Sequence, residues 1–227
     1  MFGSVYLKYP TAAVTTSEAP YDDDAWVGPT NIYSDDATNS SITATSFDAN
    51  DYSQVLKATG FGFTVPNQNN IRGIKVEIER YNDAGETAQD IIVQLTKTGT
   101  RVGDNKVAAG NWETTPTIKT YGGETDLWGT TWTPSEINAS TFGIHLVAQA
   151  TAANADIYVD YIRITVYNED VPISFAWSLG EPKVLGTTAN TTYYCWSLGE
   201  PTVCYQYQAP AGPTTTVEDN PIIQIID

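Results

Sequence analysis

One histidine, twenty-seven carboxylates and six tryptophans are the side chains of this chain best equipped for chemistry. Their spacing argues against catalysis. His145 alternates with Phe142, Ile144 and Leu146, and no serine or cysteine stands near it as a nucleophile, so it reads as a surface residue rather than the base of a triad. A phosphate-binding glycine loop, a GxSxG elbow and an HExxH helix are all missing from the sequence. Glycoside hydrolysis needs two carboxylates across a cleft, a criterion that some pair among so many acids meets by accident. Asp22-Asp23-Asp24, Asp35-Asp36 and Asp48-Ala49-Asn50-Asp51 are loop clusters of the kind that offer oxygens to calcium. None has the EF-hand register, and they read as solvated loop acids. No cofactor and no metal are therefore expected, and no enzyme. Trp112, Trp128 and Trp132 leave two readings: rings stacked on sugars, or plugs at the end of a core with each indole N–H bonded. Trp128, between Leu127 and Gly129, favours the core, while Trp112 stays open.

The strongest internal signal is a duplication. Trp-Ser-Leu-Gly-Glu-Pro occupies residues 177–182 and again 196–201, each copy followed by a variable residue and then Val184 or Val203. A unit this short cannot bury a core, so it is no solenoid. Centring a hairpin on Gly199-Glu200 places Cys195 opposite Cys204 and Trp196 opposite Val203; the same register in the first copy sets Trp177 opposite Val184. Pro201 lacks an N–H, so a four-residue loop over 198–201 suits the turn better than a two-residue one. Ala176 and Leu185 take the equivalent places in the first copy, so the cysteine pair is not essential to the motif. A disulfide and two free thiols both remain open.

Positioning these residues is work for strands. Ile74, Val76 and Ile78 alternate with Lys75, Glu77 and Glu79, as a strand with one buried and one wet face requires. Ile91, Val93 and Leu95 repeat the pattern, as do Phe142, Ile144, Leu146 and Ala148, and then Ile162, Ile164 and Val166. Residues 55–63 form a further strand, ended by Pro66 and a polar turn. Thr133-Pro134-Ser135-Glu136 has capping-box spacing and predicts a single helical turn. Short strands with Gly, Pro and Asn turns, and no crossover helix, predict an all-β antiparallel sandwich of jelly-roll type over 20–167. Residues 1–19 are an N-terminal arm or first strand, and 168–227 a Pro- and aromatic-rich extension serving as an extended C-terminal arm.

Composition agrees. The net charge of −16 divides into −7 over residues 1–51, −3 over 52–167 and −6 over 168–227. Acidic flanks repel phosphate backbones, so nucleic acid is excluded as a partner. No apolar run reaches membrane-span length and Met1 to Pro10 holds no apolar secretion core, so synthesis in the cytoplasm without membrane attachment is expected.

The stretch from Tyr121 through Asp126-Leu127-Trp128-Gly129-Thr130-Thr131-Trp132-Thr133 to Asn138 and Phe142-Gly143 resembles a pattern of tailed-phage virion structural proteins. So do residues 58–66 with Ile71-Arg72-Gly73-Ile74, the strand 158–167 and the WSLGEP tail. The resemblance covers roughly residues 20–167 and implies a β-sandwich component of a particle, with no catalytic residue to carry over. The expected function is non-enzymatic: capsid decoration or a tail or fibre part, located in the virion, assembling with copies of itself and a capsid or tail protein. The expected interface is Trp177, Val184, Trp196, Val203, Tyr205, Tyr207 and the terminal Ile222, Ile223, Ile225 and Ile226, a run suited to augmenting a neighbour's sheet. The competing expectation is a carbohydrate-binding module or adhesin, with a host glycan as partner and exposed tryptophans in a row.

Overall fold

The computed structural model describes residues 4–43, 47–82 and 87–170, and the backbone of 183–188, 191–197, 202–208 and 223–225. The chain divides into two units, Met1–Pro172 and Ile173–Asp227.

The first unit is an antiparallel β-sandwich. One sheet joins β1 (Val5–Lys8), β10 (Ile157–Glu169), β5 (Asn70–Asn82) and β8 (Thr117–Gly122) in that order, with β3 (Ser40–Ile42) also on β10. The other runs β2 (Ala12–Thr16), β4 (Val55–Thr59), β9 (Gly143–Ala150), β6 (Ala88–Lys97) and β7 (Thr100–Arg101). The opening stretch thus contributes a strand to each sheet.

The alternation in the sequence sets the layers. Ile74, Val76 and Ile78 of β5, Ile162, Ile164 and Val166 of β10, and Ile144, Leu146 and Ala148 of β9 are all buried in one core between the sheets. Long strands here follow from β-branched residues on a pleated, half-buried surface. The single helical turn, α1 (Pro134–Asn138), carries the expected capping box: Thr133 Oγ1 accepts from the Glu136 N–H at 3.3 Å, and Glu136 accepts from the Thr133 N–H at 2.8 Å.

Two expectations are corrected. The strand expected over 55–63 stops at Thr59, because Gly60 and Gly62 take φ of 70° and 63°, outside the extended region. Phe61, Phe63 and Val65 still enter the core as an irregular plug, with Phe61 and Phe63 edge-on to Phe142. Ile91 does not share a face with Val93 and Leu95. A register shift between Asp90 and Ile92 turns Ile91 and Ile92 to the outer face, where they pack with Val55 and Val147 under Tyr21 and Tyr52.

The second unit is a sheet in the order β11 (Lys183–Thr188), β12 (Thr191–Ser197), β13 (Thr202–Gln208) and β14 (Ile223–Ile225), antiparallel throughout. Cys195 pairs with Cys204 and Trp196 with Val203, the register derived from the repeat. Tyr205 and Tyr207 lie on β13. Val184 pairs across β12 with Tyr194. Trp177, Ile222 and Ile226 lie outside the described residues, so the first-copy hairpin does too. The terminal run, expected to augment a neighbour's sheet, adds to this chain's own β13, with Ile223 opposite Tyr205 and Ile225 opposite Val203.

Candidate functional site

Three polar constellations in the sandwich have the residue types of a working site. The first lies between the sheets. Asp90 of β6 faces Arg80 of β5 and Tyr121 of β8, with Trp112 from the loop beyond β7. Asp90 Oδ1 accepts from the Trp112 indole at 2.8 Å, and Oδ2 accepts from the Tyr121 hydroxyl at 2.8 Å and the Ala108 N–H at 3.0 Å. Arg80 lies 3.4 Å from Asp90 and from Glu113, and its guanidinium sits 4.6 Å over the Trp112 ring. Arg80 is 1% exposed and Asp90 6%. Burial pushes the Tyr121 phenol far above its usual range, with the Asp90 charge adding to it. The carboxylate is engaged on both oxygens and has no lone pair turned to solvent chemistry. This is a buried ionic clamp joining the two sheets.

His145 is the second. The surface position expected for it is corrected: it is 2% exposed, and both ring nitrogens lack a hydrogen-bond partner. It does point away from the core, but the outer face of its sheet is covered. Lys57 pairs with it across β4, and Glu18 bridges Lys57 and Arg101 above. Burial, helped by the Lys57 and Arg101 charges, lowers its pKa to about 4. The imidazole is neutral at pH 7, with neither nucleophile nor orienting carboxylate bonded to it.

A pH dependence follows from that burial. The folded value lies below the ordinary 6.5, so protonation favours the unfolded chain. The stability tied to the neutral ring is complete above pH 6.5 and is lost as pH falls from 6.5 to about 4. The loss reaches about 3 kcal/mol. His145→Leu should remove this slope, as denaturant melts of both proteins between those pH values will read. The lone imidazole NMR signal should titrate near pH 4; a midpoint at 6.5 would contradict the burial.

The third constellation lies on the outer face of the other sheet. Asp35, Glu79 and Asp160 bring carboxylate oxygens within 4.8 Å of one another. Glu79 stands on the wet face of β5, and Asp35 arrives on the loop after the 3-10 helix Pro29–Tyr33. Asp160 is placed by a bulge: Val159 pairs with Arg80 and Tyr161 with Glu79, which leaves Asp160 unpaired between them. Backbone N–H groups of Ala37 and Asp36 bond to its carboxylate, yet its Oδ1 has no partner and the residue is 4% exposed. Burial raises the Asp160 pKa and the Asp35 and Asp36 charges add to it; burial also raises Glu79, with Asp160 and Asp35 adding. Two residues along the same face, burial would raise Glu77 too, but hydrogen bonds from Arg163 and Lys75 hold it below its ordinary value.

Three other loop acids serve the backbone. Asp23 accepts from the Tyr52 N–H at 2.7 Å, Asp51 from the Asp48 N–H at 2.9 Å and Asp48 from the Asn154 N–H at 3.1 Å. Sequence reading grouped acids by adjacency, and so missed Glu79 and Asp160 as neighbours of Asp35. Trp112, Trp128 and Trp132 are all buried, with their indoles donating to Asp90, to the Ile74 carbonyl and to the Leu127 carbonyl. They form no exposed row for a sugar. Among the described residues no helix is long and apolar enough to cross a membrane. No family model matches the chain, and no curated protein matches it.

Proposed function

We propose that the protein is a non-enzymatic structural component of a tailed-phage virion, a capsid decoration or a tail or fibre part, that works by assembling with copies of itself and with a capsid or tail protein. The observation that carries this reading is the second unit. The region that carries the duplicated WSLGEP motif forms a sheet of its own, whose described strands hold only three to seven residues. A small sheet of short strands is marginal without a further layer on its face, and its edge strands invite pairing. An assembly partner supplies both. The expected interface residues on β11 to β14, together with Trp177, Ile222 and Ile226, belong to that contact.

The sandwich supports the same reading. The Asp90 clamp braces the fold, and the tryptophans Trp112, Trp128 and Trp132 fill the core. The order β1-β10-β5-β8 facing β4-β9-β6-β7, with β2 added outside β4, favours the jelly-roll arrangement of two interleaved Greek keys. The resemblance of residues 121–143 and of the repeat to virion proteins points the same way.

The test is mass spectrometry of virions purified from an infection by the phage whose genome encodes the chain. The chain should be found as a stoichiometric component that survives density-gradient purification. Its absence from purified particles, with abundant protein in the lysate, would overturn the proposal.

A further inference from the structure

The outer-face carboxylates have no cation among the described ion pairs. Neighbouring charges on the same face are balanced: Glu77 is held by Lys75 at 3.0 Å and by Arg163 at 3.1 Å. Glu79, Asp35 and Asp160 form no such pair among the described residues. Three acids this close repel, and Asp160 is almost wholly buried. Arg163, engaged by Glu77, offsets part of the Glu79 charge, and a proton or a metal ion would balance the rest.

A second observation concerns the next residue. Tyr161 is fully buried, and its hydroxyl has no hydrogen-bond partner. Asp160 Oδ1, in one of the three clustered carboxylates, is likewise a buried oxygen without a partner. Buried polar atoms are rarely left without partners. A bound ion gives the Asp160 oxygen its missing partner.

We propose that Asp35, Glu79 and Asp160 bind one calcium ion on the outer face of the β5–β10 pair, beneath the 34–38 loop. Oxygens bound at about 2.4 Å to one calcium lie at most about 4.8 Å apart, the span that encloses these three. The donor set is all oxygen, with no imidazole or thiolate, which selects a hard cation over zinc or copper. Three carboxylates on a strand, a bulge and a loop give the adaptable shell that calcium accepts, whereas magnesium demands a tight octahedron and keeps its waters. Asp35 is exposed, which leaves an entry path and room for water ligands. The ion ties the loop after the 3-10 helix to the sheet.

The test is calorimetric titration of calcium chloride into the chelator-stripped full-length chain, paired with thermal melts. One site per chain is expected, with a Kd on the order of 0.1 mM and weaker binding of magnesium. At a hundredfold excess of calcium over Kd, Tm should rise by about 5 °C. Asp160→Asn and Asp35→Asn should each weaken binding at least about tenfold. Without calcium, both variants should melt at or above the stripped wild type, because a like charge has been removed. Asp35 is exposed, so its variant reports even if Asp160→Asn misfolds. No binding up to about 10 mM calcium, or an unchanged Kd in Asp35→Asn, would overturn the proposal.

Discussion

Replacing Asp90 by alanine should destabilise the sandwich by about 3–5 kcal/mol and lower Tm by on the order of 10 °C. The carboxylate joins two sheets through four donors: the Trp112 indole, the Tyr121 hydroxyl, the Ala108 N–H and the Arg80 guanidinium. Its removal leaves Arg80, 1% exposed, with the more exposed Glu113 as its remaining counter-ion among the described residues. It also strips the indole and the Ala108 N–H of their acceptor. Breaking a buried pair from one side is costly because the surviving charge stays buried, whereas replacing both partners by apolar groups can be nearly neutral. The double variant Asp90→Leu with Arg80→Met should therefore cost less than Asp90→Ala alone. Denaturant melts of the double variant and of its two single variants, Asp90→Leu and Arg80→Met, form a double-mutant cycle. A loss below about 1 kcal/mol for Asp90→Ala would show that the clamp contributes nothing beyond an exposed ion pair.

The layers of the sandwich were legible because period-two alternation survives wherever a strand is regular. Ile74, Val76 and Ile78 read directly as a buried face, and so they are. Bulges break that legibility. Val159 and Ile162 both join the core although three positions apart, which is possible only with an extra residue between them. Alternation alone gives no sign that Asp160 is that residue. The carboxylate cluster was hidden for the same reason, since Asp35 meets Glu79 and Asp160 only through a bulge and a 3-10 helix. His145 was misplaced for another reason. Its position opposite the core face was read correctly, but the cover that Tyr21, Tyr52 and the Glu18 ion pairs lay over that face is tertiary. The hairpin of the second repeat was legible, because Gly199-Glu200 and the repeat itself fixed a centre of symmetry. What the repeat's side chains contact was not.

The second large effect concerns that repeat. Under the proposed virion role, ending the chain after Pro172 should leave the sandwich folded while abolishing its entry into particles. The body closes its own core between two sheets, and its strands make their main-chain pairs within the first unit. A truncated chain should keep a strand-rich circular dichroism spectrum and one cooperative melt, as single domains of this size do. Docking is another matter if the β11 to β14 sheet provides the contact. Association is dominated by a few central residues, and removing the whole sheet removes all of them together. Point changes on that sheet, such as Trp196→Ala or Tyr205→Ala, should weaken incorporation in proportion without altering the melt of the sandwich.

The most direct measurement is the copy number of a 1–172 truncation in purified virions, compared with the full-length chain supplied in trans at equal expression. If the second unit is the docking element, the full-length chain incorporates at its normal copy number, and the truncation falls at least about a hundredfold below it, a difference of roughly 2.7 kcal/mol in docking free energy. Incorporation of a folded truncation at the full-length copy number would contradict the central claim and move the assembly surface onto the sandwich.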